Sequence, residues 1–268
     1  MKTPMSFTAI VASICCAGTG QQALAQDTPS EVEISAGTPA NPEVNNGTNP
    51  TLLANTFEFK TGYIDAGNGF DAWSTETSLT LPFGKKNVAF RFTAPVSQSV
   101  IDNTFDLGDI SATFIHVVDV NRKRGIAYTV ELFTDTASRP DLGYGEAAVE
   151  LSAFYAWFLK NGSIFAPAVV QTIGLGTPPG GKSVSQTTVD FYYVPKLKNP
   201  KLFMTFDPAI IRDWRAKDTF GSLQVTFGSS IGKIGKGNWA IYARPQILIG
   251  AKRPANWGFE IGTKVIGF

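Results

Sequence analysis

Cysteine is confined to Cys15 and Cys16, histidine to the single His116, and no stretch beyond residue 25 stays apolar for the ~18 residues that a membrane-crossing helix requires. Each shortage excludes a class of protein. Met1 to Ala25 reads as a secretory signal. Lys2 supplies the positive start, Phe7 to Ala17 is mostly apolar, and Ala23-Leu24-Ala25 is an A-x-A cleavage site that makes Gln26 the mature start. Both cysteines leave with it, so the exported chain cannot rely on disulfides. With one histidine and no mature cysteine, a zinc site of the nitrogen and sulfur type is excluded. Asp65-Ala66-Gly67-Asn68-Gly69 is too short to match an EF-hand calcium loop, and no cofactor is expected. An excess of either charge is missing too. With Lys2 removed, 22 basic residues face 22 acidic ones, which argues against nucleic-acid binding. A chain with no spanning helix can cross a membrane only as a closed barrel.

What is present favours strands. Glycine (26) and phenylalanine (20) are abundant while helix formers are not dominant. Residues 26–50 are rich in Pro, Asn, Thr, Gly and Ser and free of aromatics. They read as a disordered periplasmic leader, a linker rather than a plug-like tail. From Thr51 to Phe268, runs with a period of two recur between turn residues. Ile126, Tyr128, Val130 and Leu132 alternate with Ala127, Thr129 and Glu131; Trp257, Phe259, Ile261, Thr263 and Val265 alternate with Gly258, Glu260, Gly262 and Lys264. About twelve strands are expected, an even number, giving an all-β, transmembrane, antiparallel up-and-down barrel over residues 51–268. Short turns fall around Gly84, Lys123, Gly162 and Lys198, and longer loops carry Asn68, Asp102, Pro140, Pro179, Arg212 and Pro254. That alternation puts both termini in the periplasm.

Three features fit this scheme less well. Gly228 to Asn238 reads as an overlong turn, Ile164 to Ile173 is apolar on both parities, and Phe268 falls out of phase with Trp257 and Phe259. Either a bulge near Gly267 shifts the last strand, or Phe268 caps the rim. A patterned last strand ending on an aromatic suits an outer-membrane barrel, whose final strand closes against the first and engages the barrel-assembly machinery. Alternation alone also permits a soluble sandwich or a lipocalin-like barrel, which buries the apolar parity instead. The secretory signal without disulfides, the strand number, and the aromatics near strand ends (Tyr63, Trp73, Tyr155, Trp157, Tyr193, Trp239 and Trp257) favour the membrane.

In a membrane barrel the polar parity faces inward. It carries Glu58, Lys60, Glu76, Arg91, Glu131, Glu150, Asp190, Asp207, Arg244, Glu260 and Lys264. These residues form either a self-paired lining or a passage whose charge pattern sets selectivity; Arg91 and Arg244 suit bidentate pairing with carboxylates. His116 raises the alternative of an outer-membrane lipid-modifying hydrolase. Its neighbours Ile115 and Val117 offer no hydroxyl, however, so a rim or packing role is preferred and the protein reads as no enzyme. Gly176 to Ser183 (GTPPGGKS) fits the spacing of a phosphate-binding loop, but the alternating segment Val184 to Tyr193 reads as a strand where a helix is required.

Phe105-Asp106-Leu107-Gly108-Asp109, followed by an alternating strand, resembles a glycine-aspartate element at a strand start in a bacterial outer-membrane family known as "transporter" or "MetA-pathway of phenol degradation"; the ending from Asn256-Trp257-Gly258 to Phe268 is similar to it as well. The resemblance spans about Thr51 to Phe268. It implies a barrel in the outer membrane of a Gram-negative bacterium that passes small, often hydrophobic or aromatic, compounds. Its expected partners are outer-membrane lipids and small solutes. The remaining alternative is a structural barrel with a filled lumen.

Overall fold

The computed structural model describes residues 47–84, 87–177 and 183–268. The signal at 1–25, with its two cysteines, and the leader up to residue 46 lie outside the described residues. The alternating runs form thirteen antiparallel strands: β1 (Thr56–Gly67), β2 (Phe70–Phe83), β3 (Val88–Gln98), β4 (Phe105–Leu107), β5 (Ser111–Val120), β6 (Arg124–Phe133), β7 (Ala148–Phe158), β8 (Ile164–Gly174), β9 (Ser185–Val194), β10 (Leu202–Asp213), β11 (Asp218–Ile234), β12 (Gly237–Ile249) and β13 (Trp257–Ile266). Twelve of them close a ring. Each pairs with its chain neighbour, β13 pairs with β1 from Thr56↔Ile266 to Asp65↔Trp257, and β3 joins β2 to β5. The short β4 pairs only with the tip of β3, so β4 and β5 are one stave broken at Gly108–Ile110. The ring strands run from 10 to 17 residues, enough for a tilted crossing, which takes roughly 9–11. Among the described residues no helix is long and apolar enough to cross a membrane.

The parity of burial decides which medium the outer wall meets. On β6, Leu132 is 45% exposed and Tyr128 37%, while Glu131 between them is 3% exposed. The same inversion holds around the ring: Phe57, Phe59, Phe90, Phe92, Ile241 and Ile261 are exposed, whereas Glu58, Lys60, Arg91 and Lys264 are buried. A water-soluble barrel has the opposite arrangement, so the soluble alternatives are set aside. Aromatic rings gather near both ends of the wall. Tyr63 lies 5.2 Å from Trp73 and 5.4 Å from Trp257 (ring centroids) at one end, and Tyr155 lies 4.6 Å from Trp157 at the other.

Several connections differ from the sequence reading. Asn68 and Gly69 both adopt positive φ (57° and 82°) and join β1 to β2 in a two-residue turn, not a loop. Arg212 lies inside β10, hydrogen-bonded to Thr219 of β11. The stretch Gly228–Asn238 is no long turn: β11 continues to Ile234 through a bulge at Ser230/Gly232, and only Gly235 and Lys236 separate it from β12. The phase of β8 is fixed by size, with Ala166 and Ala168 buried inward and Val169 and Ile173 outward. At the C-terminus the second expected solution holds, because β13 keeps one unbroken register against β1 and β12 and no bulge shifts it. Gly267 turns at φ 77°, its N–H donates to the Asn55 carbonyl at 2.8 Å, and Phe268 sits exposed at the rim, its carbonyl accepting from Asn55 Nδ2.

Residues 47–54 do not trail away from the barrel. Leu53 is buried among Ala89, Ile115, Val117, Ala127, Phe154 and Ala168, all from the inward parity of their strands. Tyr192 Oη donates to the Thr48 carbonyl, and a Cβ at Gly125 would overlap the Thr51 side chain. The leader assignment for residues 26–50 therefore meets packed chain at Gly47 to Pro50. These residues lie inside the mouth at the end bearing the short turns, the periplasmic end under the usual rule.

Val169, midway along β8, is 53% exposed on the outer wall. Val169→Arg is expected to cost about 2–4 kcal/mol, as for arginine at a bilayer midplane, measured by urea unfolding from phospholipid vesicles.

Candidate functional site

All eleven charged residues of the polar parity lie buried or half-buried on the inner face. The ring gathers six of them on β1, β2, β12 and β13. Lys60 Nζ lies 3.1 Å from Glu76 and 3.4 Å from Glu260, and Arg244 Nη1 is 3.2 Å from Glu260. The Tyr242 hydroxyl is 2.8 Å from Glu58 Oε1 and 3.1 Å from Glu260 Oε1, its one proton serving one carboxylate at a time. Lys264 Nζ stands 5.1 Å from the ring centre of Phe203 and 5.7 Å from that of Tyr242. Arg244 Nε donates to Thr226 Oγ1.

A second group lies on β3, β5, β6, β7 and β8. Arg91 Nη2 is 3.2 Å from Glu131 Oε2 and donates to Thr113 Oγ1, Ser111 Oγ donates to Glu131 Oε1 at 2.6 Å, and Thr172 Oγ1 donates to Glu150. Glu131 and Glu150 are direct cross-strand neighbours. Asp190 and Asp207 join neither network by a hydrogen bond among the described residues, and Asp207 Oδ1 is buried with none. Charges held in a low-dielectric section survive when geometry and extra hydrogen bonds repay their desolvation, and the hydroxyls of Thr113, Ser111, Thr172 and Thr226 provide those bonds.

Sequence alternation placed Tyr242 and Phe203 on the inner parity without giving them a role. The signal that identifies them is glycine. Tyr242 pairs with Gly262 and Phe203 with Gly228, and a Cβ on either glycine would overlap the facing ring. The bare glycines let both rings lie against the wall, where they meet the Lys264 ammonium.

The outer ends are tied by carboxylates outside the charged lining. Asp109 Oδ1 accepts from the N–H groups of Thr136 and Ala137, and its Oδ2 accepts from Tyr144 N–H at 2.7 Å. This breaks the β4–β5 stave and anchors the β6–β7 loop; Gly108 has to be bare, because a Cβ would come 2.9 Å from the Leu142 carbonyl oxygen. The glycine-aspartate element is thus a loop fastener. Arg139 completes it, reaching Asp102 at 2.6 Å and Asp141 at 3.1 Å. The Thr104 hydroxyl and the Arg139 guanidinium hold Asp102 well below the usual carboxylate range.

Two other motifs resolve against chemistry. His116 Nδ1 lies 3.2 Å from Tyr128 Oη and Nε2 lies 3.4 Å from Asn87 Nδ2, so both ring nitrogens are occupied, and among the described residues no serine is hydrogen-bonded to either. In the loop with phosphate-binding spacing, residues 178–182 lie outside the described residues. Its ends are held by an acid: Glu146 accepts from Gly176 N–H, Ser183 Oγ and Val184 N–H. A carboxylate occupying those donors repels a phosphate, and the next element is the strand β9.

No protein-family model matches this chain, and no curated protein matches it in sequence. Its fold is similar to solved outer-membrane barrels. The NanC porin aligns over 78% of this chain and 98% of its own, with TM-score 0.58 and 9% identity. The KdgM porin, solved with disordered oligogalacturonate, covers the same shares with TM-score 0.55 and 8% identity. An outer-membrane channel from Pseudomonas putida F1 covers 85% of this chain and 98% of its own, with TM-score 0.57 and 12% identity. At these identities the likeness is one of fold.

Lys60 carries two half-buried carboxylates, and its side chain is 6% exposed. Lys60→Met is expected to lower stability by about 3–5 kcal/mol, the cost of stranding buried charge, and Glu76→Gln in the same chain should recover part of it; urea unfolding in vesicles measures both. At the rim, Arg139→Ala should speed limited proteolysis of the β6–β7 loop at pH 7. Asp102 has a folded value below its ordinary 3.8. The clamp is therefore fully present above that pH and weakens only in stronger acid, so wild-type cleavage should be the same at pH 5 as at pH 7.

Proposed function

We propose that the protein is an outer-membrane channel that passes small solutes passively through its lumen. The inverted wall supports this reading, with eleven ionisable residues facing inward and phenylalanine, isoleucine, leucine and valine facing out. A barrel needed only as an anchor fills its interior more cheaply with apolar side chains. The fold shared with two porins and a channel is compatible with this role. On the inner face Glu76 and Glu260 keep 16% and 20% of their side-chain exposure. Small molecules, including the aromatic ones that the family resemblance implies, are the solutes of this reading. The chain reaches the membrane through the assembly machinery, with β13 as the strand presented to it.

The burial of Lys60, Arg91 and Glu131, together with Leu53 in the periplasmic mouth, favours a second reading, a barrel whose lumen is filled. Planar-bilayer recording separates the two. A channel gives discrete conductance steps, smaller than those of wide porins, while a filled barrel gives none. His116→Ala is expected to leave both conductance and lipid release unchanged. Loss of a lipid-releasing activity in that variant would overturn the non-enzymatic assignment.

A further inference from the structure

The lumenal charges are unevenly spread around the ring. Among the described residues the four lumenal cations stand on β1, β3, β12 and β13, and three of the carboxylates, Glu150, Asp190 and Asp207, stand on β7, β9 and β10, which carry no lumenal cation. Among the described residues the Thr172 hydroxyl is the one hydrogen-bond partner of Glu150, with Arg91 acting on it at longer range, and Asp207 Oδ1 is buried without a hydrogen bond. Asp190 is 6% exposed on the inner face. No hydrogen bond or ion pair reaches its carboxylate among the described residues, and the charged groups acting on it are Asp207 and Glu150. Arg244, one stave beyond β11 on the same side of the ring, bears on Asp207, and it is also ion-paired with Glu260. A buried carboxylate facing two others, with no cation of its own, is costly unless something from solution compensates it.

We infer that the Glu150–Asp190–Asp207 face of the lumen is a site for a monovalent cation in transit, either an alkali ion or the ammonium of a small organic amine. Among the described residues no three carboxylates stand close enough together to hold a metal ion, which disfavours a tightly chelated divalent. The hydroxyls of Thr188 and Thr205, buried on the same face, supply oxygens to a partly hydrated ion. The inference rests on the channel reading for the transit step but not for the binding step.

The test is the reversal potential in a potassium chloride gradient across a planar bilayer, repeated with ethanolammonium in place of potassium. The wild-type protein should prefer cation over chloride by roughly threefold or more, as acid-lined passages do, and the Glu150→Gln/Asp190→Asn/Asp207→Asn variant should lose or reverse that preference. If both cations are preferred, the site reads charge alone; if only one is, that one is its ligand. A wild-type channel without cation preference, or a variant that retains it, overturns the inference. Carboxylates that are simply neutral give that same silent variant. If no conductance appears, the melting of the barrel band in SDS gels decides. Stabilisation of wild-type protein, but not of the variant, by potassium or ethanolammonium over the bulky N-methylglucammonium upholds the site while the channel reading fails. Equal stabilisation of both overturns the site as well.

Discussion

A backbone amide in hydrocarbon has no water to pair with, and the whole architecture answers that constraint. Strands satisfy it only if no edge remains, so the pairing of β1 with β13 is the contact on which the rest depends. The chain protects this seam at the end bearing the short turns, where the Asn55 carbonyl accepts from Gly267 N–H and Asn55 Nδ2 donates to the Phe268 carbonyl beyond the last ladder pair, with Phe268 at the rim. The one broken stave, between β4 and β5, is interrupted near the outer rim, where Asp109 takes up the freed amides of Thr136, Ala137 and Tyr144. Irregular backbone is thus placed where side chains can satisfy it.

Closure then fixes the interior. Side chains of one parity converge on a narrow axis, and with twelve strands the space lies between a packed small barrel and an open pore. The residues that fill it are long and charged, and they pair with opposite charges around the ring: Lys60 with Glu76 and Glu260, Arg244 with Glu260, Arg91 with Glu131. Three of these pairs tie ladder neighbours and the fourth skips a stave, since Arg91 on β3 reaches past β5 to Glu131 on β6. The network thereby braces neighbouring staves as well as lining the ring.

Most of this was legible because a period of two survives in almost every strand. The sequence could not say which parity meets lipid, since a soluble barrel and a membrane barrel carry the same alternation; exposed Leu132 beside buried Glu131 decided it. Tight connections were harder to read. Asn68-Gly69 has the composition of either a loop or a two-residue turn, and Gly228–Asn238 is glycine-rich because β11 bulges, not because it turns. The packing of Gly47 to Pro50 was invisible: its residues have the composition of a linker, and what buries them is a mouth formed by strands distant in sequence. Tyr242 and Phe203 escaped for a related reason, since their partners Gly262 and Gly228 lie on other staves and only the register brings them together.

The same alternation also bears on how such a chain reaches its membrane. An exported segment that is apolar over about 18 residues is liable to be retained as a helix in the first bilayer it meets. β8 comes nearest to that danger, with Ile164, Phe165, Val169, Val170 and Ile173 close together, yet it is 11 residues long and carries Pro167, Gln171 and Thr172. Proline weakens any helix, and the polar side chains raise the cost of lipid on all sides. Once the ring closes, Thr172 turns inward to bond Glu150, while Gln171 stays on the outer parity and accepts a hydrogen bond from the Thr187 hydroxyl. The inward polar residues therefore act twice: along the unfolded chain they dilute hydrophobicity below the threshold for a helix, and in the barrel they supply the paired interior that closure demands.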